Sequence, residues 1–190
     1  MSDSIKRCAW PSEDALMIAY HDQEWGVPLH DDRKLFEFMV LDAMQAGLSW
    51  RTILYKRENF RKAFANFDYV KIARFGERET ERLLKDEGII RNRLKIAAVI
   101  TNAQRFLDVQ KEFDTFDKYI WQFTNGQTLR HRFSTIRQLP VFTPQSDAMS
   151  RDLKLRGFKF VGSTICYAFM QAAGMVNDHT VDCFRYRQLG

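Results

Sequence analysis

Four residues of this chain have the chemistry to hold a metal ion: Cys8 and His21 near one end, His179 and Cys183 near the other. Two thiolates and two imidazoles are a donor set suited to tetrahedral zinc. The i, i+4 interval between His179 and Cys183 puts both on one face if DHTVDC is helical. This is not a zinc-finger register. On spacing alone a second reading stays open, in which the cysteines are small buried hydrophobes and the histidines cap or fill. If a metal is present, four protein ligands leave no position for water, and the ion is structural. Cys166, within the apolar string TICYAFMQ, is assigned to the core, and His30 and His131 fall in polar segments read as exposed.

A second constellation surrounds Asp42. At helical spacing, Leu35, Phe38, Met39 and Asp42 share one face, so the carboxylate projects from an apolar stripe. An unpartnered buried carboxyl has a raised pKa, and such placement points to function. The alternative is a carboxylate at the stripe's edge that reaches water or pairs with arginine. Gln45, Gly47, Leu48, Ser49 and Trp50 follow closely, and Trp10 and Tyr20 lie upstream, Tyr20 beside His21. Aromatic residues usually fill cores. Together with a carboxylate, however, they also supply what a flat cationic heterocycle needs: stacking area, ring quadrupole and a countercharge. A purine alkylated at N3 is such a ligand.

The elements that must carry these residues are helical. Apolar positions recur at helical spacing through most of the chain, and sustained period-two alternation is absent, so the expected fold class is all-α. Ser12 is the expected cap of a first helix, and Asp31 or Asp32 of a second that runs through Leu35 to Ala43 and stops at Gly47. Ser49 opens a third, SWRTILYKRENFRKAF. TERLLKDEGIIRNRLKIAAVITNAQRFL reads as a helical hairpin with a three-residue Gly-Ile-Ile connection. DKYIWQF predicts another helix, TNGQTLRHRFSTIRQLPVFTPQ a long irregular connection, DAMSRDLKLR a helix capped by Ser146, and STICYAFMQAAG a helix after Gly162.

The chain has 190 residues, 45% hydrophobic, which is ample for a buried core, and no linker divides it, so one domain over 1–190 is expected. A net charge of +5 favours an anionic partner, nucleic acid first among them. The polar opening MSDSIKRCAW and the lack of any long apolar run predict no signal peptide and no membrane span, hence a cytoplasmic protein; a monomer is expected. Three cysteines are an odd number for a disulfide framework.

Long strings of this chain resemble the bacterial DNA-3-methyladenine glycosylase I family: CAWPSEDALMIAYHDQEWGVP, QAGLSWRTILYKRENFRKAF, GIIRNRLKI, SDAMSRDLKLRGFKFVGSTICYAFMQAAGMVNDH and the closing Cys183. The resemblance spans Cys8 to Cys183. It implies a helix-hairpin-helix DNA glycosylase fold whose terminal segments are joined by one structural zinc on Cys8, His21, His179 and Cys183. It also implies a base pocket lined by Trp10, Tyr20 and Trp50, with a carboxylate from the second helix reading the purine's edge. The family commonly has Glu there, and this chain has Asp42, one methylene shorter. In the hairpin string, Leu94 stands where the motif's second glycine is expected.

The implied activity is that of a monofunctional glycosylase of base excision repair, which flips 3-methyladenine out of double-stranded DNA and hydrolyses its N-glycosidic bond. N3-methylation makes the purine cationic, which weakens that bond and lets the base leave neutral, so little general-acid help is needed. Recognition by Asp42 and transition-state electrostatics remain as the protein's task. Leu48 either enters the gap left by the flipped base or makes an ordinary helix-junction contact. Arg91, Arg93 and Lys95, with Lys159 as a further candidate, are the basic residues expected at phosphate. Two rivals remain: a non-catalytic module that binds alkylated DNA, and a zinc hydrolase, which needs an open metal position.

Overall fold

The computed structural model describes residues 5–189. Its helices are α1 (Ala15–Gln23), α2 (Asp32–Gln45), α3 (Trp50–Tyr55), α4 (Arg57–Ala63), α5 (Tyr69–Ile72), α6 (Glu77–Lys85), α7 (Arg93–Phe113), α8 (Phe116–Trp121), α9 (Pro144–Leu155), α10 (Ser163–Ala172) and α11 (Phe184–Gln188). Two-residue strands β1 (Leu129–Arg130) and β2 (Val176–Asn177) pair in parallel, Leu129 opposite Val176. The all-α reading holds, with this short bridge tying the long irregular connection to the C-terminal segment.

Helix α2 is the hub. It packs against α10, α7, α3 and α8, and Leu35, Phe36, Val40, Leu41 and Met44 are fully buried together with the expected face of Phe38, Met39 and Asp42. A helix enclosed by four others is buried all round, so the stripe read from its sequence is wider than predicted. Asp31 caps it, its carboxylate accepting from Lys34 N–H at 2.9 Å.

Several boundaries move. Asp14, not Ser12, caps α1, accepting from the N–H groups of Leu16 and Met17 at 3.0 Å. Ser12 instead adopts a φ of +51°. The expected third helix is two: Ser49 caps α3 as predicted, but the chain breaks at Lys56, whose Nζ donates to the carbonyls of Glu87 and Gly88 across the fold. The connection between α6 and α7 runs over 86–92 instead of three residues, because Asp86 and Asn92 both turn their side chains onto following backbone N–H groups. Helix α9 starts two residues before Ser146, capped by Thr143 with Pro144 at its first position.

Candidate active site and metal centre

Trp10, Tyr20, Trp25, Asp42, Gln45, Trp50, Ile136, Leu139, Ala168 and Gln171 enclose a cavity of about 220 Å³. That is below the ~300–1,000 Å³ of pockets for drug-sized molecules and suits one flat ring system. Tyr20 on α1 and Trp50 at the start of α3 stand with ring centroids 5.0 Å apart, and Trp10 meets Trp25 edge-on at 5.2 Å. The predicted group of Trp10, Tyr20, Asp42 and Trp50, drawn from four segments, does converge. Trp25 and Gln171 join it unforeseen, although both lie inside the strings that carried the resemblance. Ile136 and Leu139 come from the irregular connection, where no periodic signal marked them.

Two carboxylates of α2 are buried, and their surroundings differ. Glu37 is clamped by Arg57 Nε at 2.6 Å and Arg61 Nη2 at 2.8 Å. Asp42 is 4% exposed, has no cationic partner, and its Oδ2 is buried with no hydrogen bond. Burial therefore holds the Asp42 carboxyl well above the usual carboxylate range. Burial and the neighbouring Asp42 likewise push the Tyr20 phenol up. Among the described residues four buried side-chain polar atoms lack a partner, and three of them, Trp10 Nε1, Asp42 Oδ2 and Trp50 Nε1, belong to this cavity's walls. Folded proteins rarely leave such atoms unpaired, so their concentration here points to a polar ligand.

A second cleft of about 200 Å³ shares Asp42, Gln45 and Ala168 with the first and runs past Ala46, Gly47, Leu48, Thr164 and Ile165. Gly47 has a φ of +77° with open space where a Cβ would stand, so backbone conformation is what selects glycine there. The turn it makes leaves Leu48 41% exposed beside the cavity.

Next to the cavity, Cys8, His21, His179 and Cys183 gather, all buried, with one ligand atom from each within 4.8 Å of the others. DHTVDC is not helical; a turn closed by Cys183 N–H on Thr180 O brings the pair together. His21 Nδ1 donates to Asp22 Oδ1 at 2.7 Å, which leaves Nε2 facing Cys183 Sγ at 3.6 Å. His179 Nε2 donates to Trp25 O at 3.0 Å, which leaves Nδ1 at 3.6 Å from Cys8 Sγ and 3.5 Å from Cys183 Sγ. Tetrahedral bonds of ~2.3 Å to sulfur and ~2.0 Å to nitrogen put S and N roughly 3.5 Å apart, so these separations fit a zinc ion. Arg7 holds Asp22 in turn. Orienting partners of this kind set the tautomer that a metal-binding histidine needs. The hydrogen bond from Cys8 pulls the Cys183 thiol down and, together with burial, pushes the Cys8 thiol up, so the two sulfurs share one proton between them.

The family model for methyladenine glycosylase matches residues 10–186. The chain belongs to the methyladenine glycosylase family. It is 52% identical to DNA-3-methyladenine glycosylase 1 of Escherichia coli strain K12 over 182 residues, 96% of this chain and 97% of that one. A crystal structure of a 3-methyladenine DNA glycosylase I superposes with a TM-score of 0.92 at 52% identity, covering 94% of this chain and 98% of the other. The Staphylococcus aureus 3-methyladenine DNA glycosylase I, solved to explain 3-methyladenine recognition, gives 0.91 at 33% identity over 94% and 95%. The methyladenine glycosylase fold therefore extends over nearly all of the described chain.

The basic residues expected at phosphate separate. Arg91 and Arg93 are exposed, paired with Glu87 at 3.5 Å and Glu77 at 2.7 Å. Lys95 is not available: it is 7% exposed, and its ammonium donates to Met44 O at 2.8 Å and Ala46 O at 2.7 Å. These carbonyls end α2, where a helix leaves acceptors unpaired and favours a cation. Lys95 thus caps α2, and burial lowers its pKa. Leu94, next to it, is 73% exposed.

Proposed function

We infer that this chain is a monofunctional DNA glycosylase that hydrolyses the N-glycosidic bond of 3-methyladenine in double-stranded DNA after flipping the base into the Trp10–Tyr20–Asp42–Trp50 cavity. The observation that carries the reading is the cluster of unpaired polar atoms inside an aromatic cavity, in a member of this family. An alkylated purine is cationic and flat. Its ring fits against the aromatic walls of the cavity that Trp10, Tyr20 and Trp50 line, and its charge supplies the countercharge that Asp42 lacks.

Asp42 then acts by recognition. The cation draws the buried carboxyl back toward its ionised form, and the carboxylate stabilises the positive charge that the base shares with the sugar as the bond to C1′ stretches. Water adds at C1′. Among the described residues the cavity wall holds no lysine, which speaks for hydrolysis over a Schiff-base route. Leu48, exposed beside the cavity, is proposed as the side chain that fills the emptied stack. The α6–α7 pair serves as the helix-hairpin-helix, with Arg91 and Arg93 at phosphate.

The four-residue cluster is proposed to bind one structural zinc. It supplies a crosslink between the terminal segments and, with four protein ligands, no open position for substrate, which argues against a zinc hydrolase. The crosslink also steadies the cavity, since Tyr20 adjoins His21 and Trp25 bonds His179.

The deciding experiment incubates methylated duplex DNA with the protein and separates released bases by chromatography. Release of 3-methyladenine without strand cleavage is expected. Binding of the DNA with no release would leave the non-catalytic module standing instead.

A further inference from the structure

Asp42 alone is a poor judge of which alkylated purine enters. Cationic adenine and cationic guanine carry the same charge, so a countercharge by itself does not tell them apart. Gln171 is placed to do so. It lines the cavity at the end of α10, and its backbone is pinned there, its carbonyl accepting from Gly26 N–H at 2.9 Å. Its side-chain Nε2 donates to Asp178 Oδ2 at 2.7 Å.

Asp178 is itself held on every side. It is 2% exposed; Tyr167 donates to Oδ2 at 2.5 Å and His131 Nδ1 to Oδ1 at 2.6 Å. His131, read from sequence as exposed, is half-buried in this contact. A carboxylate with both oxygens receiving donors can only accept, so the Gln171 amide must present its nitrogen to Asp178. The oxygen on the same carbon is left for the cavity, and it has no partner among the described residues.

We propose that Gln171 is a specificity-determining residue, a fixed acceptor held by Asp178 that takes a hydrogen bond from the 6-amino group of a flipped adenine and repels the 6-oxo oxygen of guanine. Asp42 answers the charge of the base, and Gln171 its identity. Sites that hydrogen-bond a substrate group discriminate strongly because the wrong partner leaves a buried polar atom unpaired. His131 and Tyr167 are positioning residues in this device, acting through Asp178.

The inference rests on the glycosylase reading, and one assay separates the two. DNA treated with dimethyl sulfate contains both 3-methyladenine and 3-methylguanine, and the ratio of the two bases released does not depend on the fraction of folded enzyme. Gln171→Met keeps length and removes the acceptor; it is expected to lower the adenine-to-guanine ratio by at least about tenfold. Asp178→Asn, whose neutral amide can pair with Gln171 either way round, is expected to lower it as well. Release by the parent with an unchanged ratio in Gln171→Met would overturn the role of Gln171 alone. A parent that releases neither base overturns the glycosylase reading, and this inference with it. If Gln171→Met releases neither base, tryptophan fluorescence quenching by the free bases decides: lost preference for 3-methyladenine supports the role, whereas retained preference or loss of all binding overturns it.

Discussion

Asp42 and Glu37 ride on one helix and are both buried, yet only Glu37 is clamped by arginines. Leaving Asp42 unpaired destabilises the empty protein, and under the proposed function a cationic base offsets that cost on binding. Burial raises its pKa, so the folded state keeps this proton to higher pH than the unfolded chain does. The stability is fully present below the ordinary carboxylate pKa of ~3.9 and is lost as pH rises through the raised value. Asp42→Asn should therefore raise the melting temperature at pH 7–8, with the gain shrinking as pH falls toward 4. It should also lower kcat/KM for 3-methyladenine release by roughly ten- to a hundredfold, the ~1.5–3 kcal/mol of a charged hydrogen bond. Equal activity in the variant would sink the recognition role, and a flat melting profile would sink the burial argument.

At the scale of elements, the end of α2 shows how a basic residue's role depends on what folds against it. Lys95→Met leaves the carbonyls of Met44 and Ala46 unpaired, at ~1–3 kcal/mol for each group. Thermal melting should fall by about 5–20 °C, while the salt dependence of DNA binding stays the same. Arg91→Ala and Arg93→Ala should do the reverse, each reducing the slope of log affinity against log salt by about one with little effect on melting. Gly174 is a second such junction. A Cβ there would stand 2.3 Å from the Val27 carbonyl carbon, and its φ is +67°, so Gly174→Ala should cost several kcal/mol, read as a sharp drop in melting temperature.

For the whole molecule, the Cys2His2 cluster closes the chain on itself, joining the segment that carries Trp10 and Tyr20 to the one that follows Gln171. Cys8→Ser is expected to reduce bound zinc below one per chain by atomic absorption and to lower melting by more than any single surface substitution. Chelation of the parent should give the same loss. Full stability with no zinc bound would remove the structural role, and lost activity at unchanged stability would revive the hydrolase reading.

Helical periodicity determined the all-α class and most elements, because a 3.6-residue repeat is a local property of sequence. The Cys8, His21, His179 and Cys183 cluster and the cavity residues Trp10, Tyr20, Asp42 and Trp50 were legible for the same kind of reason: chemistry belongs to residue type, and long odd strings tied those types to a family. Cap positions were legible only in part: Asp31 and Ser49 cap as expected, but Ser12 and Asp14, and Thr143 and Ser146, all have the side chain for the task and only packing chooses among them. Nor could sequence show that Lys95 turns inward, that Ile136 and Leu139 reach across from an irregular segment, or that Asp178 fixes the amide of Gln171. Those facts depend on groups distant in the chain meeting in three dimensions, and the unpaired state of Asp42 is of this kind too: its residue type is written in the sequence, but the absence of a partner is decided by everything folded around it.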